Sequence, residues 1–270
     1  MHITMKLTLA LCLPLAIQSF SVAPRSHLRV NALRVATNPL EEAGETKAST
    51  SPSVTFGQPI DDATRQRTKQ VVHAAKSYLF DALFKGENVQ RYYARFYALE
   101  TIARMPYFSY LSVLHLRETL GQWREAELLQ VHFAENWNEL HHLLIMEELG
   151  GHDRWWDRCI AQHLACFYYA FVIVLYLSNP TLAYCWNEMV EEEAYGTYDK
   201  FLNANAEYLK SMPAPQTALK YYKGSNLYMF DAMHHDDTER RPPCENLYDT
   251  FVNIRDDELE HVKTMVHLQK

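Results

Sequence analysis

Glycine is scarce in this chain. Only 8 of its 270 residues are glycine, while 48% are hydrophobic. This balance favours a helical protein over a β-rich one, which would need glycine in its turns. The sequence contains no glycine-rich phosphate loop, no Gly-x-Ser-x-Gly elbow and no Cys-x-x-Cys pair. These absences argue against a P-loop nucleotide-binding protein, an α/β-hydrolase and a dithiol redox protein.

Positive charge is also in short supply. The formal net charge is -7, and outside the N-terminal tail no basic stripe interleaved with aromatic residues occurs. Both observations argue against a nucleic-acid partner. The five cysteines are scattered and predict reduced thiols rather than a disulfide framework; they are Cys12, Cys159, Cys166, Cys185 and Cys244.

The N-terminal 57 residues differ in kind from the rest. They begin with "MHITMKLTLALCLPLAI", a basic residue followed by an apolar run too short to span a bilayer, which indicates a secretory signal. The next stretch, "SFSVAPRSHLRVNALRVATN", has three arginines and no acid, which is typical of a transit peptide. We predict a bipartite plastid-targeting sequence and a disordered linker over residues 1–57, followed by one domain over residues 58–270.

Two Glu-x-x-His pairs stand out: Glu139 with His142, and Glu258 with His261. The segment around the first pair has no glycine or proline and predicts a helix, on which residues three apart share a face. One such pair alone is more often solvated helix surface than a site. Two pairs, joined by one glutamate from each of two further helices, are the ligand set of ferritin-like di-iron bundles. Carboxylates neutralise and bridge the iron ions, and each imidazole supplies a nitrogen.

Two more helical regions offer the single glutamates. In one of them Glu191 lies on an aromatic stripe suited to a bundle interior, whereas Glu192 and Glu193 lie off that stripe. In the other, Glu100 and Glu118 share a face but lie about 27 Å apart along a helix. Only one of these two can lie at the level of a metal site, and spacing leaves that choice open.

Five stretches carry a resemblance to a known family: "LETIARMPYFSYLSVLHLRETLG", "VHFAENWNELHHLLIMEELGG", "VEEEAYGTYDKFL", "MPAPQTALKYY" and "RRPPCENLYDTFVNIRDDELEH". Together they resemble the plastid branch of the alternative oxidase family over about residues 88–265. The resemblance implies an all-α fold, a ferritin-like four-helix bundle with a di-iron carboxylate site plus two membrane-surface helices. It implies two iron ions per chain, with the ligands Glu100, Glu139, His142, Glu191, Glu258 and His261.

The resemblance also implies roles for residues around these ligands. Tyr198 matches a tyrosine that stands beside the family's cluster and supplies an electron or a proton. Asn138 and Asp257 directly precede ligands and match positions that orient them. Five residues match positions that line the family's quinone pocket: Arg95, Leu99, Glu193, Ala194 and Thr197. Two pairs with the reversed spacing, which packing or solvation explains better, are His132 with Glu135 and His115 with Glu118.

A long apolar run raises the question of a membrane. From Cys159 to Asn187 there is no charged residue, and "CIAQHLACFYYAFVIVLYLS" is long enough to cross a bilayer. A crossing would place Glu139 and Glu191 on opposite sides of about 30 Å of hydrocarbon, so they could not share a cluster. We therefore predict that this run lies on one leaflet as a monotopic attachment. The amphipathic stretch "VVHAAKSYLFDALF" is predicted to be a second surface helix.

These features predict a function. The resemblance implies a plastoquinol:oxygen oxidoreductase that reduces O2 to water at a non-haem di-iron centre, on the stromal side of the thylakoid membrane in the plastid. A bundle lying on a membrane gives a lipid-soluble quinol access to the metal. We also expect a homodimer or a higher homo-oligomer. Two alternatives stay open: a non-enzymatic ferritin-like bundle that binds or stores iron, and a structural membrane protein with an empty site.

Overall fold

The computed structural model describes residues 60–86, 88–224 and 242–270. Helices make up nearly all of these ranges, and no strand occurs within them, so the prediction of an all-α fold is confirmed. The predicted targeting sequence and linker, together with Cys12, lie outside the described residues. The four cysteines in the described part of the chain are free thiols, as predicted.

From Asp62 to Lys223 the helices follow one another with connections of six residues or fewer. In chain order the helical elements are α1 (Asp62–Ala74), a π-helical segment (Ala75–Phe80), α2 (Asp81–Leu83), α3 (Val89–Thr119), α4 (Ala126–Glu148), α5 (Trp155–Ser178), α6 (Pro180–Ser211), α7 (Gln216–Lys223) and α8 (Leu247–Leu268).

The connection between α5 and α6 is a single residue, Asn179. Its side chain accepts a hydrogen bond from the backbone N–H of Leu182 at 3.0 Å and so caps α6. Pro180 follows as the first residue of α6, where its missing N–H is not needed. The apolar helix α5 is therefore connected to the longer helix α6 by one residue that caps α6.

Four helices form the bundle that the sequence predicted. α3 packs along α4, α6 packs along α8, and contacts of α3 with α6 and of α4 with α8 close the arrangement. α5 packs against the outside of α3 and α6, and α1 packs against α6. The two Glu-x-x-His helices, α4 and α8, thus belong to the same bundle as the two helices that carry single glutamates.

The bundle core has two separate hydrophobic clusters. We call the first the phenylalanine cluster; it includes Phe96, Tyr198, Phe201 and Phe251. The second, the tyrosine cluster, is built around Tyr107, Tyr110, Tyr176 and Tyr184. On each bundle helix, buried polar residues lie between the segments that enter the two clusters. A polar layer therefore crosses the middle of the bundle.

Candidate metal centre

The polar layer brings four predicted ligands together. Glu100 on α3, Glu139 and His142 on α4, and Glu258 on α8 each offer one ligand atom, and these atoms all lie within 4.8 Å of one another. All four side chains are fully buried. Helical spacing explains the convergence, because each residue lies on the inward face of its own helix.

The other two predicted ligands adjoin this group. Nε2 of His261 lies 3.3 Å from Oε1 of Glu139. Glu191 on α6 is also fully buried, and its carboxyl group interacts with that of Glu258. Glu118, by contrast, lies near the end of α3 and pairs with Arg124 at the surface. The structure therefore brings all six predicted ligands into one layer and leaves Glu118 outside it.

Several buried atoms of the layer have no hydrogen-bond partner among the described residues. They are both carboxylate oxygens of Glu139 and Glu258, Oε2 of Glu100 and of Glu191, and Nδ1 of His142. Buried polar atoms almost always have a partner, so a concentration of exceptions requires an explanation. Carboxylate oxygens and imidazole nitrogens around one point are a donor set that suits iron. The residues present therefore fit a di-iron group.

The electrostatics of the layer agree with this interpretation. Burial raises the pKa of Glu139 and of Glu191 well above the ordinary value, and the neighbouring Glu258 raises both further. Burial also raises the pKa of Glu258, to about 7. Carboxyl groups buried this close together resist ionising because their negative charges repel one another. Bound cations would reverse that preference.

The two histidines are held in matching ways. Nδ1 of His142 lies 3.4 Å from Glu258, while its Nε2 lies 3.0 Å from Oδ2 of Asp257. Nε2 of His261 lies 2.8 Å from Oδ1 of Asn138. The residue that precedes each Glu-x-x-His pair thus holds the histidine of the other pair. Asn138 also donates a hydrogen bond to Asp257 at 3.0 Å, so these two residues support each other.

Two tyrosines extend this two-fold pattern. The hydroxyl of Tyr198 on α6 donates to Oε1 of Glu100 on α3. The hydroxyl of Tyr107 on α3 donates to Oε1 of Glu191 on α6, at 2.7 Å. Each tyrosine stands seven residues after the single glutamate of its own helix and reaches the glutamate of the other helix. Sequence reasoning missed Tyr107, although its offset from Glu100 equals that of Tyr198 from Glu191.

The His132–Glu135 pair, in which histidine precedes glutamate by three residues, also belongs to the site. His132 and Glu135 are buried, and Nδ1 of His132 lies 3.1 Å from Oε2 of Glu135. Oε1 of Glu135 lies 3.8 Å from Nδ1 of His261, so this pair touches the polar layer. Packing accounts for the pair's position and solvation does not. The His115–Glu118 pair does lie at the protein surface.

An apolar cavity of about 230 Å³ lies beside the polar layer. Its wall comes from α1 with the π-helical segment, α3, α5 and α6. Four of the five residues predicted to bind quinone line it: Leu99, Glu193, Ala194 and Thr197. The wall residues Leu99 and Val190 directly precede the predicted ligands Glu100 and Glu191, which brings the cavity next to the polar layer.

The fifth predicted residue, Arg95, lies beside the cavity rather than in its wall. It forms an ion pair with Asp81, and its guanidinium group lies 5.8 Å from the ring centre of Phe80, a wall residue. The charged residues in the wall are Lys76 and Glu193, whose side chains are 3.3 Å apart. The cavity is thus apolar with one charged pair in its wall.

Helix α5 has the length and composition of a membrane span, and only 22% of its most apolar stretch is buried in the protein. Large apolar side chains such as Phe167 and Val174 are exposed along it. The ligand helices on either side of α5 nevertheless meet in one layer, so a single crossing by α5 would conflict with the observed site.

Comparison with known proteins gives the same family as the motifs. The family model described as alternative oxidase matches residues 54–270. The chain is 53% identical, over 85% of its length, to "Ubiquinol oxidase 4, chloroplastic/chromoplastic" of Arabidopsis thaliana and covers 64% of that protein. It is 29% identical, over 64% of its length, to the mitochondrial ubiquinol oxidase of Mangifera indica and covers 49% of it. The chain therefore spans less than two thirds of the length of these relatives.

Proposed function

The chain belongs to the alternative oxidase family, and from this premise we propose that it is a plastoquinol:oxygen oxidoreductase that reduces O2 to water. The observation that carries the proposal is the layer of buried glutamates and histidines lying against an apolar cavity. We propose that the layer holds two iron ions per chain through Glu100, Glu139, His142, Glu191, Glu258 and His261.

Bound iron would supply O2 binding and electron exchange with O2. The protein side chains supply orientation. Asp257 and Asn138 fix the rings of His142 and His261, so that the metal-binding nitrogen of each imidazole is held in place. Tyr198 holds one oxygen of Glu100 and leaves the other oxygen toward the layer. With its hydroxyl in contact with a ligand, Tyr198 is also placed to give an electron and a proton during O2 reduction.

The cavity is the proposed quinol site. Its apolar wall matches a quinone ring, and Glu193 and Lys76 can exchange hydrogen bonds with the quinol hydroxyl groups. In the cavity wall, Leu99 directly precedes Glu100 and Ala194 lies three residues after Glu191. A quinol bound here would be close enough to pass electrons to the proposed iron site. The ligands themselves are fully buried, which keeps bulk water away from them.

Access to the cavity suggests a location on a membrane surface. Tyr78 and Leu79 next to the cavity, and Phe167 on α5, are exposed large apolar residues. Exposed apolar side chains on the π-helical segment and on α5 suit burial in one leaflet of a bilayer, from which we propose that quinol enters the cavity. Together with the predicted plastid-targeting sequence and the chloroplastic relative, this supports the proposed attachment to the stromal side of the thylakoid membrane. We propose a homodimer or a higher homo-oligomer on that surface.

The test is quinol-driven oxygen uptake by the purified full chain in detergent. Iron-loaded protein given a plastoquinol analogue should consume one O2 per two quinols, because reducing O2 to water takes four electrons and each quinol gives two. Little hydrogen peroxide should appear, and iron-free protein serves as the control. Iron-loaded protein with no quinol-driven uptake, or with stoichiometric peroxide, would contradict the oxidase and favour the ferritin-like storage bundle.

A further inference from the structure

Tyr184, in the tyrosine cluster, has an unusual set of buried polar neighbours. Its hydroxyl lies 3.1 Å from Nε2 of His132 and 2.8 Å from the hydroxyl of Tyr176. His132 in turn contacts Glu135 through Nδ1. All of these side chains are buried in the bundle. A phenol, an imidazole and a carboxyl group thus form one hydrogen-bonded chain on the side of the polar layer away from Tyr198.

This arrangement suits the oxidation of a phenol by one electron. A phenol that loses an electron becomes strongly acidic, so a base must already be in contact with its hydroxyl. Burial lowers the pKa of His132 to about 3, so its ring is neutral. With its proton on Nδ1 facing Glu135, the ring leaves Nε2 free to accept the hydrogen bond from Tyr184.

A series of rings connects Tyr184 to the metal centre. The ring centre of Tyr184 lies 5.1 Å from that of Tyr110, which lies 6.3 Å from that of Tyr107. The Tyr107 ring lies 5.3 Å from the ring of His261, and its hydroxyl donates to Glu191. Neighbouring oxidisable rings at such short separations let an electron move in short steps instead of one long step.

We propose that Tyr184 is a one-electron donor to the O2 being reduced at the metal centre, acting through Tyr110 and Tyr107. The electron leaves Tyr184, the hydroxyl proton passes to Nε2 of His132, and a neutral tyrosyl group remains. A later electron from quinol and the return of that proton restore the phenol. This inference rests on the proposed oxidase function and adds a second donor to the one expected at Tyr198.

The experiment detects the tyrosyl group directly. Iron-loaded full-length protein is reduced with dithionite without quinol, mixed with O2, frozen within milliseconds and examined by electron paramagnetic resonance, with ring-deuterated tyrosine to identify the radical. In the Tyr198→Phe variant a tyrosyl signal should persist, with an exchangeable coupling in D2O from the His132 hydrogen bond. In Tyr198→Phe/Tyr184→Phe this signal should be lost.

The matched control is Tyr198→Phe/Tyr97→Phe. It also removes one buried tyrosine hydroxyl, but Tyr97 lies on α3 and outside the tyrosine cluster. It should keep the signal. As a second variant, Tyr110→Phe in the Tyr198→Phe background leaves Tyr184 intact and should slow the appearance of the radical. All samples are compared per bound iron.

Two results would overturn the inference: no tyrosyl signal in Tyr198→Phe with iron fully bound, or an undiminished signal after Tyr184→Phe. Quinol-driven O2 uptake by the wild-type protein, measured on the same preparation, separates the two proposals. Normal uptake without the radical removes only the role of Tyr184. Absence of uptake removes the oxidase itself.

Discussion

The two tyrosines that donate hydrogen bonds to the single glutamates of the polar layer, Tyr198 and Tyr107, lie in different surroundings. The ring of Tyr198 is stacked on Phe96 at 4.2 Å and lies 6.1 Å from Phe251, neither of which is readily oxidised. Tyr107 instead lies next to Tyr110 and His261. The ligand layer is two-fold, but the packing around it is not. Similar ligands can therefore be given different electron-transfer roles by their neighbours.

The surroundings of Tyr198 and the surroundings of Tyr107 define two halves of the layer, and the apolar cavity touches both. Its wall includes Thr197, directly before Tyr198, and Val190, directly before Glu191, which accepts the hydrogen bond of Tyr107. The halves differ in the neighbouring rings, because only the Tyr107 half leads through Tyr110 to Tyr184. Four predictions test how far this asymmetry extends.

The largest expected effect is loss of iron on removal of either histidine ligand, and it should be the same in both halves. His142→Ala and His261→Ala each remove one of the two imidazole ligands, so each should lose most of the bound iron and all quinol oxidation. Metal analysis of the purified chains is the measurement, and wild-type protein prepared in parallel is the control. Full iron retention in both variants, or one zinc per chain in the wild type, would rule out the cluster as proposed.

The next largest effect is loss of turnover on removal of a tyrosine hydroxyl, and it should differ between Tyr198 and Tyr107. Tyr198→Phe should lose most turnover while keeping its iron, because it removes an oxidisable group in direct contact with Glu100 whose neighbouring rings are not readily oxidised. Tyr107→Phe should keep more turnover, because Tyr198 remains as a donor, although the variant loses the relay from Tyr184 and a hydrogen bond to Glu191 worth about 1–3 kcal/mol to a buried acceptor. Oxygen uptake per bound iron compares them. Equal losses in the two variants would mean that the different surroundings have no functional weight.

The sequence alone predicts the bundle and most of the ligand layer. The Glu-x-x-His repeats and the stripe through Glu191 predicted the bundle, because helical periodicity determines which residues share a face. Spacing alone could not choose between Glu100 and Glu118, since eighteen residues make five whole helical turns. That choice depends on which end of α3 reaches the bundle centre, a property of tertiary packing.

The tyrosine cluster lay beyond the reach of sequence periodicity for a similar reason. Tyr110 and Tyr184 lie on different helices, and no local pattern predicts that their rings will meet. The sequence pair of His132 and Glu135 predicts only packing or solvation, because one His-x-x-Glu spacing does not identify a site. Only the neighbour supplied by another helix, Tyr184, shows what the pair does in the structure.

A smaller effect is expected at the residues that hold the histidines. Asp257→Asn alters the support of His142, and Asn138→Ala removes that of His261, so each should weaken iron binding by roughly 10- to 100-fold. Titration of iron-free protein with ferrous iron gives both values. Asp257 also accepts a hydrogen bond from Tyr222 at 2.9 Å, and Asn138 donates one to Tyr221 at 2.7 Å, so the two variants should lose similar amounts of iron affinity. A much larger loss in one variant would show that the two histidines are supported unequally.

An effect of similar size concerns attachment of the apolar helix α5 to a membrane. Phe167 is 75% exposed on α5, and Phe167→Glu should weaken binding to anionic vesicles by about 1.5–3 kcal/mol, roughly tenfold or more. Leu120→Glu, at a leucine that is 73% exposed beyond the end of α3, is the matched control and should bind like the wild type. Vesicle co-sedimentation measures both. Equal binding by all three proteins would contradict attachment through α5.

The buried carboxyl groups of the polar layer have a consequence for the life of the protein in the cell. Burying Glu139 and Glu258 with carboxylate oxygens that have no hydrogen-bond partner costs folding stability. Iron bound in the proposed site would offset that cost and so would contribute directly to folding stability. When iron is scarce, more chains should be unfolded at any moment and be degraded by proteases. The abundance of the protein would then follow the iron supply without a dedicated regulator.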